Sequence, residues 1–335
     1  MSIEIEVGTH PPRTSLKKDV KTNGNPVAPM RTRLPDCPVG ALGDRLCISV
    51  VIPAFNEGKA VVNLVKFLRS LTWGEGSISE ILVDISGSND YSCDELSVMS
   101  QSEPRLKVIN TGIRDGLVPS LNRLISAATG DVVVRIDADV VLSQETIFRT
   151  VGALRNERIG IAGPRIVPIT PAAGPIARVI RTLYILHDLI SRKSPKITVV
   201  QAFRRVGIEL PEISVMEDGA IQLEIESLGY RSVYVPDATV GICGPATLRD
   251  LLSQRIRTIR AIHWFTRSYG RKPPTAEPRL VLGALLAGIK CSQVTYADLF
   301  LFLTLEGVCR VIAALYVPFQ VPPINWVPLK STKPF

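Results

Sequence analysis

Apolar and polar positions fall into alternating blocks through the middle of the chain. Leu46-Cys-Ile-Ser-Val-Val-Ile-Pro53 is an almost unbroken apolar run and reads as a buried strand. It breaks at Pro53-Ala-Phe-Asn-Glu57, and Ala60 to Leu71 then carries apolar residues at helical spacing. Glu80-Ile-Leu-Val-Asp84 is a second strand, followed by Ser86-Gly-Ser-Asn-Asp90, a polar turn suited to starting a helix. Leu106-Lys-Val-Ile109 is a short third strand. A Gly112-Ile-Arg-Asp-Gly116 loop leads to a helix from about Val118 to Ala128. Gly130-Asp131 then turns into the β-branched run Val132-Val-Val-Arg-Ile136. Strand–turn–helix units in this succession predict a right-handed, largely parallel sheet with helices on its faces, an α/β fold.

The second half is less regular. Strand character begins at Gly160-Ile-Ala-Gly163 and persists near Arg165–Ile169; residues 175–192 read as helix and Val199-Val-Gln-Ala-Phe203 as strand. A helix over Ala220–Leu228 ends at Gly229, and Arg231-Ser-Val-Tyr-Val235 is a strand. From Leu248 a helix places Leu248, Leu252, Ile256 and Ile259 on one face, with Gln254 and Arg257 on the other. The pattern divides the chain into a mostly disordered tail (1–45), a main α/β domain (46–275) and an apolar helical segment (276–335).

In that last segment Leu280–Ile289 and Ala297–Val317 are apolar, but Asp298, Glu306 and Arg310 interrupt them. A charge at the bilayer centre costs about 2.5–3.5 kcal/mol. Pairing of Glu306 with Arg310, four residues on, would reduce that cost. An interfacial hairpin, a spanning helix and a buried helix all remain open; Tyr316, Trp326, Lys330 and Lys333 would suit a membrane interface.

Chemistry concentrates where the fourth strand ends. Asp137-Ala-Asp139 puts two carboxylates on one side of the chain, because residues two apart in a strand point the same way. Together they repel; a divalent cation removes the conflict and keeps positions open for phosphate oxygens. The plainer alternative is a loop with two solvated acids. Net charge is +8 with residues 249–272 locally basic, which favours phosphate-bearing substrates or an anionic membrane surface. No nucleic-acid-binding signature is present, so no nucleic acid partner is expected. Six cysteines without a Cys-x-x-Cys pair, and no signal peptide, predict reduced thiols, a cytosolic setting rather than secretion, and no zinc site.

Across about residues 46–262 the marks resemble glycosyltransferase family 2 with its GT-A nucleotide-sugar fold. They are Val51-Ile-Pro-Ala-Phe-Asn-Glu57, Asp137-Ala-Asp139, Glu217-Asp218 and Gln254-Arg-Ile-Arg257, in that order. Ser86-Gly-Ser-Asn-Asp90, Asn122 and Gly229-Tyr-Arg-Ser-Val-Tyr-Val-Pro-Asp237 agree with them. Glu217-Asp218 and Gln254-Arg-Ile-Arg257 are most similar to the membrane-associated, polysaccharide-synthase side of the family. The resemblance implies an inverting, metal-dependent transferase at the cytoplasmic face of a membrane. It would use a nucleotide-sugar donor, most readily a UDP sugar, and a glycan or lipid-linked acceptor. Asp139 with Asp137 would hold Mg or Mn, and Asp218, beside Glu217, would be the general base. Pro53, Asn56, Glu57, Asp84, Asn122, Asp137, Gln254 and Arg257 would bind the donor, with Arg255 as a further cation. Each has a plainer alternative: turn chemistry or a cap for Pro53, Asn56 and Glu57, a helix-face or capping role for Asn122, a surface position for Gln254. For Glu217 and Asp218 it is an N-terminal acid favoured by the helix dipole. His187 and His263 lack sequence partners and are given no role.

Three positions depart from the family pattern. Where an acid usually precedes the Ser/Gly-Ser turn the chain has Ile85, with Asp84 one residue early; a bulge could bring Asp84 round. Thr258 stands where the family has the Trp that stacks on the acceptor sugar, with Trp264 two turns on as a stand-in. Arg135 sits inside the strand leading to the acids, where it either pairs with a buried carboxylate or faces an edge. The rivals are a nucleotidyltransferase, which would need a Gly-rich loop with a Lys after the first strand, a degenerate GT-A-fold module that binds without turnover, and a basic membrane-peripheral scaffold. The scaffold accounts for the tail but not for the ordered acids.

Overall fold

A computed structural model describes residues 45–71, 76–169, 174–211 and 215–316. The expected tail over 1–45 falls almost wholly outside this range, as do Cys37, Trp326, Lys330 and Lys333.

The first half forms as its pattern predicts: β1 (Leu46–Pro53), α1 (Lys59–Ser70), β2 (Gly76–Asp84), α2 (Ser92–Ser102), β3 (Leu106–Ile109), α3 (Leu117–Ala127) and β4 (Val132–Ile136). Then come β5 (Val140–Val141), α4 (Gln144–Gly152), β6 (Ile159–Pro168), α5 (Gly174–Ser191), β7 (Val200–Arg204), α6 (Glu217–Ser227) and β8 (Arg231–Ile242). Three helices close the described chain: α7 (Leu248–Tyr269), α8 (Pro278–Lys290) and α9 (Tyr296–Tyr316).

All eight strands join one sheet in the order β3-β2-β1-β4-β7-β6-β8-β5. The first four are parallel, and β7 then runs antiparallel to both β4 and β6. The sheet is therefore mixed, parallel where the strand–helix units alternate.

Side-chain parity sorts the core into two layers. Ile48, Val50, Ile52, Val132, Val134 and Ile136 face α1, α2 and α4. Val51, Leu82 and Val133, on the opposite side, meet α3 and α6. A third apolar cluster joins Ile180 and Leu186 of α5 to Leu251 of α7, Ala284 of α8 and Phe302 of α9. Arg178–Asp298 at 2.6 Å and Arg255–Glu306 at 2.9 Å tie the same helices together. Glu306 also meets Arg310 at 2.9 Å, as their spacing suggested.

Two local expectations need correction. Leu248 is half exposed, and α7 buries Leu251, Ala261 and Phe265 instead, because its partners are α9 on one side and the start of α6 on another. β2 begins at Gly76, four residues before the expected start at Glu80, and β8 continues well past Val235 to Ile242. No helix among the described residues is long and apolar enough to cross a membrane.

Beneath the site a buried carboxylate fastens the sheet. Glu80 accepts hydrogen bonds from Ser49 Oγ (2.6 Å), Thr129 N (2.6 Å) and Lys107 Nζ (2.7 Å). These donors outweigh burial and hold its pKa at about 2. Gly130 completes the joint by donating to Ser49 Oγ at 2.8 Å. A Cβ there would lie 2.7 Å from the Cys47 carbonyl, so only glycine fits.

Candidate active site

Strand order reverses direction between β1 and β4, and ligands in open α/β sheets bind beyond the carboxyl ends of strands at such a point. A cavity of about 940 Å³ opens there. Pro53 and Glu57 line it from the end of β1 and the turn after it, Asp84 and Ser86 from the end of β2 and the turn after it, and Asp137 and Asp139 from the turn after β4. Glu217 and Asp218 enter from the first turn of α6, Gln254 and Arg257 from α7. Two expected donor contacts do not reach the lining. Asn56 adopts φ +53° and accepts from Asn89 N at 2.9 Å, pinning the turn after β1 to the turn after β2. Asn122 holds Leu210 at both ends of its amide, at 2.9 and 2.8 Å. Neither does Trp264 line the cavity, whereas Thr258 does, its hydroxyl donating to Gln254 O.

Parity also settles the place of Arg135. It shares a face of β4 with Asp137, turned toward α6, and stands opposite Gln201 of β7. Only 2% exposed, its Nη2 lies 2.6 Å from Asp137 Oδ1 and 3.3 Å from Glu217 Oε1, so one cation bridges the two acidic motifs. Desolvation nevertheless pushes Asp137 up to about 6, against the pull of Arg135. Glu217 is raised too, by burial and by Asp218.

Asp218 is treated differently. Lys196, on the loop after α5, is buried and places Nζ 2.6 Å from Asp218 Oδ2, while Gly219 N donates to Oδ1 at 2.8 Å. Burial opposes ionisation of Asp218, but the lysine overrides it and the carboxyl sits below its usual value. Gln201 Nε2 donates to the Asp218 carbonyl at 2.9 Å and holds the first turn of α6 in place. Tyr184 and His187 of α5 line the same wall. Burial pushes the phenol up to about 12 and the imidazole down to about 4, which keeps both neutral.

At the other end, Asp84 is buried and faces α3 with Leu82. A β-bulge between β1 and β2 at Ile48/Ser49 precedes it. Its Oδ2 accepts from Arg123 Nε at 2.9 Å, and Arg123 also pairs with Asp115 of the loop before α3. Ile85 turns into the opposite core layer. Arg114, from the same loop as Asp115, stacks over Phe55 at 3.8 Å.

Among the described residues no group of three or more His, Cys, Asp or Glu side chains could hold a metal alone. The expected strand face does not extend that far: β4 ends at Ile136, and Asp137 and Asp139 line the cavity from the turn after it, a donor set that fits a hard cation completing its shell with substrate oxygens. Lys196, Arg123 and Tyr184 carry no motif in the sequence, so only the fold reveals them. Arg135 did stand out, as a charge in an apolar run.

The model of the family described as "Glycosyl transferase family 2" matches residues 49–216, half of the chain. Among curated relatives, "Glycosyltransferase GlyG" of Streptococcus pneumoniae is 31% identical over 107 residues, 31% of this chain and 35% of that protein. An N-acetylglucosaminyltransferase of Bradyrhizobium diazoefficiens is 22% identical over 240 residues, 64% of this chain and 48% of its own. A poly-beta-1,6-N-acetyl-D-glucosamine synthase of Staphylococcus epidermidis is 24% identical over 229 residues, 64% of this chain and 54% of its own. The chain thus spans about half or less of the length of these relatives. A mannosyltransferase of Pyrobaculum calidifontis, solved with GDP-Man and Mn2+, has the same fold at TM-score 0.56 and 18% identity, covering 82% of this chain and 88% of that one. With its mixed sheet, its cavity at the strand ends and its family match in agreement, the chain belongs to glycosyltransferase family 2 and has the GT-A fold.

Proposed function

We propose that the chain is an inverting, metal-dependent glycosyltransferase that moves a sugar from a nucleotide sugar to the hydroxyl of a glycan or lipid-linked acceptor. One observation carries this reading: Asp137 and Asp139 from the sheet and Glu217 and Asp218 from α6 converge on a single cavity. In one displacement, the acceptor oxygen bonds to the anomeric carbon as the bond to the leaving phosphate breaks. The hydroxyl proton passes to Asp218, and the nucleoside diphosphate leaves with the bonding electrons. Lys196 keeps Asp218 ionised and oriented for that proton. Arg257, with Gln254 one turn before it, supplies a fixed positive charge to the departing diphosphate. Asp139 and Asp137 would hold Mg or Mn, which when bound neutralises charge growing on the leaving group. Pro53, Glu57 and Asp84 would bound the nucleoside end.

The relatives' names point to N-acetylglucosamine and the structural neighbour carries GDP-Man, so the donor is a question for a panel; a UDP sugar is our first choice. Exposed apolar residues on α8 and α9, flanked by Arg279, Lys290 and Arg310, support docking on an anionic membrane surface, at the cytoplasmic face. A second reading, the degenerate binding module, is favoured by one fact: both oxygens of Asp218 are already engaged, by Lys196 and by Gly219 N.

Nucleoside diphosphate release from UDP, GDP and dTDP sugars separates these readings, measured with Mn or Mg, with EDTA, and in Asp139→Ala, with membrane extract as an acceptor source. Metal-dependent release from one donor, lost in the variant, is the expected result. Nucleotide binding without release under any condition would replace the transferase with the binding module.

A further inference from the structure

The cavity does not end at the acids. It continues between α5, α8 and α9, where Leu183, Leu186, Val281, Leu285 and Phe302 line it. The turn of α5 that places Tyr184 and His187 near the acids places Leu183 and Leu186 on this apolar wall, so the reacting end and the apolar end are one space. Its volume of about 940 Å³ lies at the upper end of what small-molecule sites span, about 300–1,000 Å³.

Two rim residues show where the space opens. Leu282 and Leu303 line the cavity and are also 58% and 47% exposed. Leu303 belongs to a stripe on α9 at helical spacing, with Phe300, Val311 and Leu315, and Leu286 of α8 stands one turn beyond Leu282. The lining therefore runs from the acids to an exposed apolar face, apolar along α5 and α8 and crossed on the α7–α9 side by the Arg255–Glu306–Arg310 ion pairs, whose charges satisfy one another. Sugar rings are held by stacking aromatics and polar groups. Phe55 and Tyr184 line the cavity toward the acids, whereas Phe302 is the aromatic on the α8 and α9 side among the described residues, and Thr258 occupies the α7 position.

Resting on the transferase reading, we infer that the acceptor is an amphiphile: its hydroxyl-bearing head reaches Asp218, and its apolar chain lies in the channel between α5, α8 and α9 and leaves past Leu282 and Leu303. Each chain methylene buried in the channel adds to binding, so a few of them outweigh what a short polar acceptor gains there. A polymer whose growing end must slide through the site finds no such gain.

The test uses the full chain and a dodecyl β-glucoside carrying a diazirine at the end of its alkyl chain, below its micelle concentration. Photolabelled sites are mapped by peptide mass spectrometry. The expected result is saturable labelling on Leu183, Val281, Leu285 or Phe302, competed by unlabelled dodecyl glucoside but not by methyl glucoside. Labelling there should fall at least tenfold in Leu285→Glu and persist in Leu286→Glu. If Leu285→Glu does not fold, the wild-type competition decides alone. Labelling confined to Leu286, Phe300, Val311 and Leu315, or labelling that does not saturate, would overturn the inference. Diphosphate release is measured on the same preparation. Release with only outer labelling removes the amphiphilic acceptor and leaves the transferase. Inner labelling without release from any donor removes the transferase instead.

Discussion

With Lys196 Nζ 2.6 Å from Asp218 Oδ2, a half-buried acid is kept ionised by a buried lysine. Lys196→Met keeps the volume and removes the charge. The carboxylate then keeps only the Gly219 N–H and the field of Arg135, and breaking such a pair costs on the order of 3 kcal/mol, to be read from denaturant unfolding. The same change lets the Asp218 pKa rise, so the acid limb of the diphosphate-release profile should move to higher pH. A lysine that only supports the fold would lower stability without moving that limb. Glu80 offers a contrast outside the site. Its folded pKa of about 2 lies below the ordinary 4.5, so its contribution is fully present above about pH 4.5 and lost as pH falls toward 2. Glu80→Ala should therefore lower the melting temperature at pH 7 and narrow the gap from wild type near pH 2. The acids of the site were legible in the sequence because they stand in ordered motifs. Lys196 was not, because twenty-two positions separate it from Asp218 and only packing of the loop after α5 joins them. Asn56 and Asn122 show the converse: side chains fit for a ligand are spent on backbone partners, which a motif cannot distinguish.

At the scale of elements, β1 to β4 were readable because a strand buried on both faces is apolar throughout and each helix beside it is periodic. The second half was harder. β5 has two residues, the buried face of the nine-residue α4 is half threonine (Thr146 and Thr150 beside Ile147 and Val151), and β8 slips in register opposite Pro164/Arg165 of β6. The helices α8 and α9 were seen as apolar, but which face meets the protein depends on α5 and α7. Now that those partners are known, the outer stripe can be tested. The chain should cosediment with vesicles containing phosphatidylserine more than with neutral ones, and added salt should weaken this. The double change Phe300→Glu and Val311→Glu, at exposed positions, should reduce cosedimentation at least fivefold while leaving the melting temperature nearly unchanged.

For the whole molecule, the third apolar cluster makes α8 and α9 part of the packed body. Val179, Ile180, Leu186, Ile190 and Leu251 lie under or beside them. Ending the chain at Gly270 should uncover these residues, and burial of each such side chain is worth about 1.5–3 kcal/mol. We expect that truncated chain to aggregate or bind a hydrophobic dye, and a stable, monodisperse product would show that the two helices are a detachable appendage.

The parity of β4 carries one more consequence. Val133 and Arg135 count off every second residue on β4 and Asp137 follows two residues on, like codons in a single frame. An insertion or deletion of one residue between Val132 and Arg135 would work as a frameshift does, not spoiling one letter but moving every downstream word to the wrong page. The bridging cation and Asp137 would turn together into the layer of α1, α2 and α4, so this stretch can vary by substitution but not by length.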